Sequence, residues 1–214
     1  MWAKVCLVGP QGSGKTTIAS RLDSTRFSSG RCRNGNLFTN CNVIVGEKAV
    51  DLELVDISGE DRLLCMGPIF YKEAKAALCI FDLSSESSFC ELSPWINSVK
   101  NYASEDCLLM IIGNKSDLQR HEHSKNEGKK VAELIGAQYF EVSAASGKGL
   151  MNMVIYIAKH LLRRNDCATS YAAKRSIASN HIEHIASKDA KKRDRRLSFP
   201  LRSASLFNLL SIKN

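Results

Sequence analysis

The chain has 214 residues and a formal net charge of +8, and 44% of its residues are hydrophobic. This length fits one globular domain followed by a tail. No run approaches the ~20 apolar residues of a transmembrane helix, and the apolar start from Trp2 to Val8 is too short for a signal peptide. The sequence therefore argues against membrane-spanning and secreted proteins, and we expect a cytoplasmic protein.

Apolar runs separated by polar or glycine-containing segments predict six strands. In chain order they are Lys4–Val8, Cys41–Val45, Val50–Val55, Ala77–Phe81, Leu108–Ile112 and Gln138–Val142. Helices are predicted to begin at Lys15 and near Met66, Glu91, Asn126 and Gly149. Gly46-Glu47-Lys48 predicts a hairpin turn between the second and third strands. The order predicts an α/β fold with a six-stranded, mostly parallel sheet and helices on both faces.

The cysteines predict neither a zinc site nor a disulfide framework. Eight cysteines are present without a C-x-x-C pair, which a cysteine-rich metal site would normally show. Cys6, Cys79 and Cys107 lie in or beside apolar runs. We therefore expect reduced cysteines that pack in the core.

The first motif, from Gly9 to Thr16, fits the phosphate-binding pattern G-x-x-x-x-G-K-[ST] and stands between a predicted strand and a predicted helix. Glycines let backbone N–H groups surround an anion, and the helix N-terminus adds partial positive charge. We expect Lys15 to reach the β- and γ-phosphates of a nucleotide and Thr16 to coordinate Mg²⁺. The candidate phosphate-binding residues are Gly9, Gln11, Gly12, Ser13, Gly14, Lys15, Thr16 and Thr17. The motif alone does not separate ATP from GTP, and a glycine-rich turn with a chance lysine is the alternative.

The second motif, Asn114-Lys115-Ser116-Asp117, predicts a guanine site. Guanine presents an N1–H and an amino group on one edge, and Asp117 can accept from both, whereas adenine would leave this carboxylate unpaired. The Lys115 stem can cover the base or sugar, and Asn114 can tether the segment to the phosphate loop. The backbone of Ser143-Ala144-Ala145 can approach guanine O6. Each string alone is also typical of an ordinary polar turn.

A third string, Asp56-Ile57-Ser58-Gly59, ends the third predicted strand. A carboxylate there can hold Mg²⁺ through water, and a glycine N–H can bind the γ-phosphate. Taken alone, a surface aspartate is the commoner explanation. Between the two nucleotide motifs, we interpret Asp56 as a metal ligand and Gly59 as a phosphate ligand.

These strings resemble the small GTPases of the Ras superfamily, and within it the Rab branch. Further likeness lies in Phe70–Ala77, which resembles Y-Y-R-G-A-x-A-A, and in Phe81–Ser84, Ser88-Phe89 and Trp95, which resemble Y-D-I-T, S-F and W. The resemblance covers residues 1–164 and implies the P-loop small GTPase fold, with GTP or GDP and Mg²⁺ as ligands. Residues 165–214 are interpreted as a basic, disordered tail.

Two residues of the implied site depart from the family pattern. Where the resemblance implies a water-orienting glutamine after Gly59, this chain has Glu60. An ionised carboxylate cannot donate a hydrogen bond, so we predict slow hydrolysis with Lys15 and Glu60 as the catalytic residues. Gln11 replaces a smaller residue and could block an arginine finger from an activating protein, unless its side chain turns to solvent.

The third departure concerns the first switch segment. The resemblance implies a Mg²⁺-binding threonine near Asn34, where the chain has none. Thr39 is the nearest candidate for a third metal ligand beside Thr16 and Asp56, and a strand-edge role for Thr39 is the equal alternative. Loss of this threonine would weaken the coupling between nucleotide state and loop order.

The tail, residues 165–214, carries ten Lys and Arg against four Asp and Glu and has no C-terminal C-a-a-X box. Its basic cluster at Lys191–Arg196 suits an anionic membrane surface and also resembles a nuclear-import patch. A solvated, disordered tail explains it equally well. We expect peripheral contact with the cytosolic face of endomembranes and no nucleic-acid partner.

The sequence thus predicts a Rab-like switch that binds GTP or GDP with Mg²⁺, hydrolyses GTP slowly and acts in intracellular vesicle trafficking. Exchange factors, activating proteins and effectors are expected to bind around residues 37–71. The alternative is a hydrolysis-deficient scaffold, or pseudo-GTPase, which Glu60 and Gln11 favour. A P-loop kinase would give Asp117 no role.

Overall fold

The computed structural model describes residues 1–23, 37–60, 67–118 and 122–166. The chain divides into two compact units, Met1–Arg163 and Arg164–Asn214, and the sheet belongs to the first. The strands are β1 Trp2–Val8, β2 Phe38–Val45, β3 Lys48–Asp56, β4 Ala74–Asp82, β5 Leu108–Asn114 and β6 Gln138–Glu141. The helices are α1 Lys15–Leu22, α2 Gly67–Tyr71, α3 Glu86–Cys90, α4 Leu92–Tyr102, α5 Glu122–Ile135 and α6 150–166.

The strands form one sheet in the order β2-β3-β1-β4-β5-β6. Only the β2–β3 pair among them is antiparallel. It is closed by a two-residue turn in which Gly46 has a φ of 62°, a conformation that glycine adopts without steric cost. The predicted mixed, mostly parallel sheet is therefore confirmed, and the parallel connections bring the carboxyl ends of β1, β3, β4, β5 and β6 to one edge.

Two hydrophobic clusters lie on opposite faces of the sheet, which confirms helices on both faces. On one face, Val5 and Leu7 of β1 pack with Ile18 of α1 and with Met153 and Ile157 of α6. Cys6 and Val8, which alternate with Val5 and Leu7 in β1, face the other cluster, because successive side chains of a strand point to opposite faces. That second cluster contains Cys6, Val8, Tyr71, Leu92, Trp95, Val99 and Ala132, among others.

Several element boundaries differ from the sequence prediction. Strand β2 begins at Phe38 rather than Cys41 because the antiparallel ladder pairs Phe38 with Val55, although Asn40 and Asn42 in this segment are polar. The helix predicted near Glu91 is two helices, α3 and α4, of which α3 begins at Glu86. Ser85 caps α3, since its side chain accepts a hydrogen bond from the Ser88 N–H. This satisfies one free donor of the first turn.

Four of the five cysteines in the part of the chain that the structure describes are at least half-buried, whereas Cys90 is exposed. Cys6, Cys41 and Cys79 are free and buried, and Cys107 is half-buried. Burial raises the pKa of Cys6 to about 12 and that of Cys41 to about 11, because a thiolate is poorly solvated in the core. Among the described residues, no helix has the length and apolarity needed to cross a membrane.

Candidate nucleotide-binding site

A pocket of about 370 Å³ opens where β1 and β3 end and α1 begins. Its walls are Gln11, Gly12, Gly14, Lys15, Thr16, Thr17, Asp56, Ser58 and Gly59. All but one of these were candidate site residues in the sequence. Ser58 was missed, because nothing in the string distinguishes its small polar side chain from an ordinary turn residue. Gly9 and Ser13 belong to the same loop, where the Gly9 carbonyl and the Ser13 hydroxyl accept hydrogen bonds from Lys15 Nζ.

The glycines of the loop stand where a side chain would not fit. A Cβ on Gly9 would lie 2.0 Å from the Ile80 carbonyl oxygen, and a Cβ on Gly14 would lie 2.2 Å from the Asn114 Nδ2. Gly14 also has a φ of 92° and precedes α1 without a side-chain cap. The first N–H groups of α1 therefore lack a side-chain partner at the cap position, and the first turn carries no acidic residue, as an anion site requires.

Lys15 lies at the centre of this loop. Its Nζ donates hydrogen bonds to the carbonyl oxygens of Gly9 at 2.8 Å and Pro10 at 2.7 Å, and the residue is only 5% exposed. Burial lowers the pKa of Lys15 to about 8, although the nearby Asp56 carboxylate opposes that shift. An ammonium that is so poorly solvated gains more from a phosphate than an exposed lysine would.

Thr16 and Asp56 fit a magnesium ion. The Thr16 hydroxyl donates to Asp56 Oδ2 at 2.5 Å, so the two oxygen ligands lie together at the pocket wall. Asp56 Oδ1 is buried and has no hydrogen-bond partner among the described residues. No group of three or more acidic, His or Cys side chains that could hold a metal ion is found in the same described ranges. Mg²⁺ typically takes one or two protein oxygens and completes its shell with phosphate and water.

Gly59 packs directly against the phosphate loop. A Cβ on Gly59 would lie 2.5 Å from the Gln11 nitrogen and 2.6 Å from the Lys15 Nζ. The segment that follows β3 therefore contacts the loop between β1 and α1. Glu60 follows as a half-buried residue outside the pocket lining, and Gln11 lines the pocket with its side chain exposed.

Asn114 connects three loops at the carboxyl edge of the sheet. Its Nδ2 donates to the Ser13 carbonyl oxygen at 2.9 Å, and its Oδ1 accepts from the Ala144 N–H at 3.1 Å. Asn114 is 1% exposed, so both hydrogen bonds are shielded from water. The tether between this segment and the phosphate loop therefore lies where the sequence analysis places it.

The rest of the predicted guanine reader surrounds this bridge. Asp117 is exposed, and the Ser116 N–H donates to the Val142 carbonyl at 3.0 Å. Ser143 is fully buried and accepts from the Ser146 N–H through its hydroxyl at 3.0 Å, which shapes the loop that contains Ala144 and Ala145. The structure thus brings the two segments that the sequence predicts to bind the base next to each other, outside the lining of the pocket.

Lys115 pairs with a residue that the sequence analysis did not assign to the site. Its Nζ lies 2.6 Å from Asp82 Oδ2 at the end of β4. Nothing in the local pattern distinguishes Asp82 from any polar residue that ends a strand.

The structure places Thr39 in a strand. It lies inside β2, opposite Leu54 in the antiparallel ladder, and it is not part of the pocket lining. The strand-edge alternative describes its position, while its role as a metal ligand stays a prediction. Asn34, where the resemblance places the switch threonine, lies outside the described residues, as do residues 167–214 of the basic tail.

Comparison with known proteins identifies the family. A model of the Ras family matches residues 4–163. The Ras-related protein Rab-21 of Geodia cydonium is 30% identical over 165 residues, which cover 76% of this chain and 72% of that protein. A putative Ras-related protein Rab-5B of Dictyostelium discoideum is 31% identical over 160 residues, 74% of this chain and 75% of the relative. The Ras-related protein Rab-26 of Rattus norvegicus is 33% identical over 170 residues, 78% of this chain and 66% of the relative. The chain therefore belongs to the Ras family and is a Rab-like small GTPase.

Proposed function

We propose that this protein is a guanine-nucleotide switch that binds GTP or GDP with Mg²⁺, hydrolyses GTP slowly and acts in intracellular vesicle trafficking. Family membership supports guanine-nucleotide binding and GTPase activity in general. The observation that supports binding of the nucleotide with Mg²⁺ is the unpartnered, buried Asp56 Oδ1 beside the Thr16 hydroxyl. An oxygen site at the mouth of a phosphate loop favours a metal–nucleotide complex.

Each part of the site has a chemical role in this proposal. The glycine-rich loop and the start of α1 bind the phosphates through N–H groups, and Lys15 neutralises charge on the β- and γ-phosphates. Thr16 and Asp56 would hold Mg²⁺, which supplies positive charge to the phosphate oxygens when bound. Asp117 reads the guanine edge, while the backbone near Ala144 and Ala145 approaches guanine O6.

The slow rate is proposed from the chemistry of Glu60. A glutamine amide can both donate to and accept from an attacking water, whereas an ionised carboxylate only accepts. A carboxylate near the γ-phosphate also adds charge repulsion to the transition state. Gln11 lines the pocket and could exclude an arginine finger. The same two residues favour the second candidate function, a GTP-bound scaffold that recruits effectors without turning over.

Hydrolysis can be tested in one experiment with two variants. Nucleotide is extracted from the purified full chain, and single-turnover GTP hydrolysis is then measured for the wild type, Glu60→Gln and the exposed control Glu105→Gln. We expect GDP or GTP in the extract and a rate that rises about tenfold or more in Glu60→Gln alone. Recovery of intact GTP with no turnover would favour the scaffold. Equal rates in all three proteins would contradict the role given to Glu60.

We further propose that regulators and effectors bind around residues 37–71 and that the basic tail brings the protein to the cytosolic face of endomembranes. Exposed apolar side chains at Leu37, Phe38 and Ile69 support the first part. The charge of residues 165–214 supports the second. Co-sedimentation with anionic liposomes should fall when residues 190–214 are deleted, and unchanged co-sedimentation would contradict the tail's role.

A further inference from the structure

Asp82 stands at the carboxyl end of β4, and the proposed function gives it no role. Both of its carboxylate oxygens are used. Oδ2 accepts from the Lys115 ammonium at 2.6 Å, and Oδ1 accepts from the Ser84 N–H at 2.8 Å and the Ser84 hydroxyl at 2.6 Å. The Asp82 side chain is only 11% exposed, while that of Lys115 is 33% exposed. Ser84 therefore holds one oxygen of the carboxylate, and the other oxygen binds the Lys115 ammonium. The stem of Lys115 remains accessible.

The pKa of Asp82 reflects its bonds to Lys115 and Ser84. Burial alone would raise the pKa of Asp82, but hydrogen bonds from Lys115 and Ser84 outweigh that effect and hold the pKa below its ordinary value. The carboxylate is thus charged throughout the neutral range, as an anchor for an ammonium must be.

Lys115 has an unusual backbone as well. Its φ is 61°, in the left-handed region, which residues other than glycine and asparagine rarely adopt. This conformation costs free energy, which contacts of the side chain can offset. The ammonium bond to Asp82 is one such contact, and it fixes the direction of the four-carbon stem two residues before Asp117.

The pair is not needed to join the two loops. The β4–β5 ladder already runs as far as Asp82 opposite Asn114, and the Leu83 N–H donates to the Asn114 carbonyl at 2.9 Å. These backbone bonds hold the ends of β4 and β5 together without any side chain. The ion pair therefore has a consequence beyond the fold, namely the placement of the Lys115 side chain.

We propose that Asp82 is a positioning residue for purine binding: it anchors the Lys115 ammonium so that the Lys115 stem covers a face of the base. This inference rests on the proposed nucleotide site. The two parts of the site then have different roles. Asp117 recognises the guanine edge, whereas the Asp82–Lys115 pair positions the Lys115 stem, which any purine ring can contact. Asp82 should therefore influence how long a purine nucleotide stays bound, and not which purine is preferred.

The test measures dissociation rates of fluorescently labelled GDP and IDP, whose base lacks the exocyclic amino group, from the full chain. Asp82→Asn keeps the shape and the Ser84 acceptor but removes the charge. We expect both nucleotides to dissociate about tenfold faster, with an unchanged ratio between them. Lys115→Met keeps the stem but removes the ammonium, and it should give a similar increase. Because both substitutions break one interaction, the double variant should be no faster than either single variant.

Several results would overturn the inference. One is that GDP dissociates from Asp82→Asn at the wild-type rate. Another is that Asp82→Asn still accelerates GDP dissociation by the same factor when Lys115→Met is also present. The urea unfolding of each nucleotide-free variant shows whether that persistent effect comes from the fold. Asp117→Asn serves as the matched comparison, since it should change the GDP to IDP ratio. An unchanged ratio in Asp117→Asn would contradict the guanine site itself rather than the role of Asp82.

Discussion

At the scale of single residues, Glu73 has a strained backbone conformation that no side-chain packing offsets. It follows α2 and has a φ of 65°, the left-handed conformation that commonly ends a helix and that favours glycine. Its side chain is exposed, so no packing compensates. The Rab segment that Phe70–Ala77 resembles has glycine at this position. The exposed turn therefore tolerates a residue that its geometry disfavours.

We expect Glu73→Gly to stabilise the protein by about 0.5 to 1 kcal/mol, because relief of the left-handed strain exceeds the extra entropy of a glycine in the unfolded chain. Urea unfolding of the nucleotide-free protein measures this change. The neighbouring Lys72→Gly variant is the control, since Lys72 has no positive φ, and it should lose stability. A loss in both variants would show that the turn is not strained.

Lys15 gives a prediction for pH. The free protein loses the Lys15 proton near its pKa of about 8, whereas bound phosphates should hold that proton to higher pH. Binding then takes up a proton above pH 8, and affinity must fall as pH rises. We expect the Kd for GDP to rise about twofold from pH 7 to 8 and about tenfold from pH 7 to 9. Calorimetry in buffers of different ionisation enthalpy should detect the proton, and Lys15→Met should bind weakly with no such uptake.

At the scale of elements, Asn114 decides how the ends of β1, β5 and β6 are held together. The sequence could predict that this residue tethers the phosphate loop, since its motif follows a strand whose end must face that loop. It could not predict the second bond, to the Ala144 N–H, because that contact depends on the register between β5 and β6.

We expect Asn114→Ala to lower the free energy of unfolding by about 2 to 4 kcal/mol, since it leaves the Ser13 carbonyl and the Ala144 N–H buried without partners. Nucleotide affinity should fall with it, because both loops belong to the proposed site. Denaturant unfolding and GDP binding test both effects. Asn101→Ala, on the exposed face of α4, should change stability by less than about 0.5 kcal/mol. Similar values for the two variants would show that the Asn114 bridge carries little of the fold's stability.

The contrast between Gly14 and Asp82 shows how far sequence reasoning reaches. Gly14 could be predicted because it is a fixed position of a local motif, and its φ of 92° is a conformation that glycine adopts without steric cost. Asp82 could not, because its role depends on a neighbouring strand that presents Lys115 at hydrogen-bond distance. Thr39 shows what local spacing leaves open: counting along the chain offered a metal ligand or a strand-edge residue, and the structure adds that Thr39 pairs with Leu54 in the β2–β3 ladder. Its role as a metal ligand stays a prediction, because strand register is not encoded in the spacing.

At the scale of the whole molecule, stability rests on two apolar clusters separated by one sheet. In the described part of the chain, all members of both clusters and all partly buried residues packed on them lie at or before Leu162. Helix α6 supplies Met153, Val154 and Ile157 to the first cluster. The domain boundary near residue 164, inferred from composition, therefore predicts that residues 1–166 are sufficient for the fold.

We expect a chain that ends after residue 166 to unfold within about 0.5 kcal/mol of the full chain and to bind GDP with the same Kd. A chain that ends after residue 149 loses α6 and exposes its cluster, at about 1.5 to 3 kcal/mol for each buried aliphatic side chain. Because a domain of this size has only about 5 to 15 kcal/mol in total, the shorter chain should not fold. Circular dichroism, urea unfolding and GDP titration of the two truncated chains measure the difference. If the 166-residue chain lost more than about 2 kcal/mol, the tail would be part of the stable domain rather than an appendage to it.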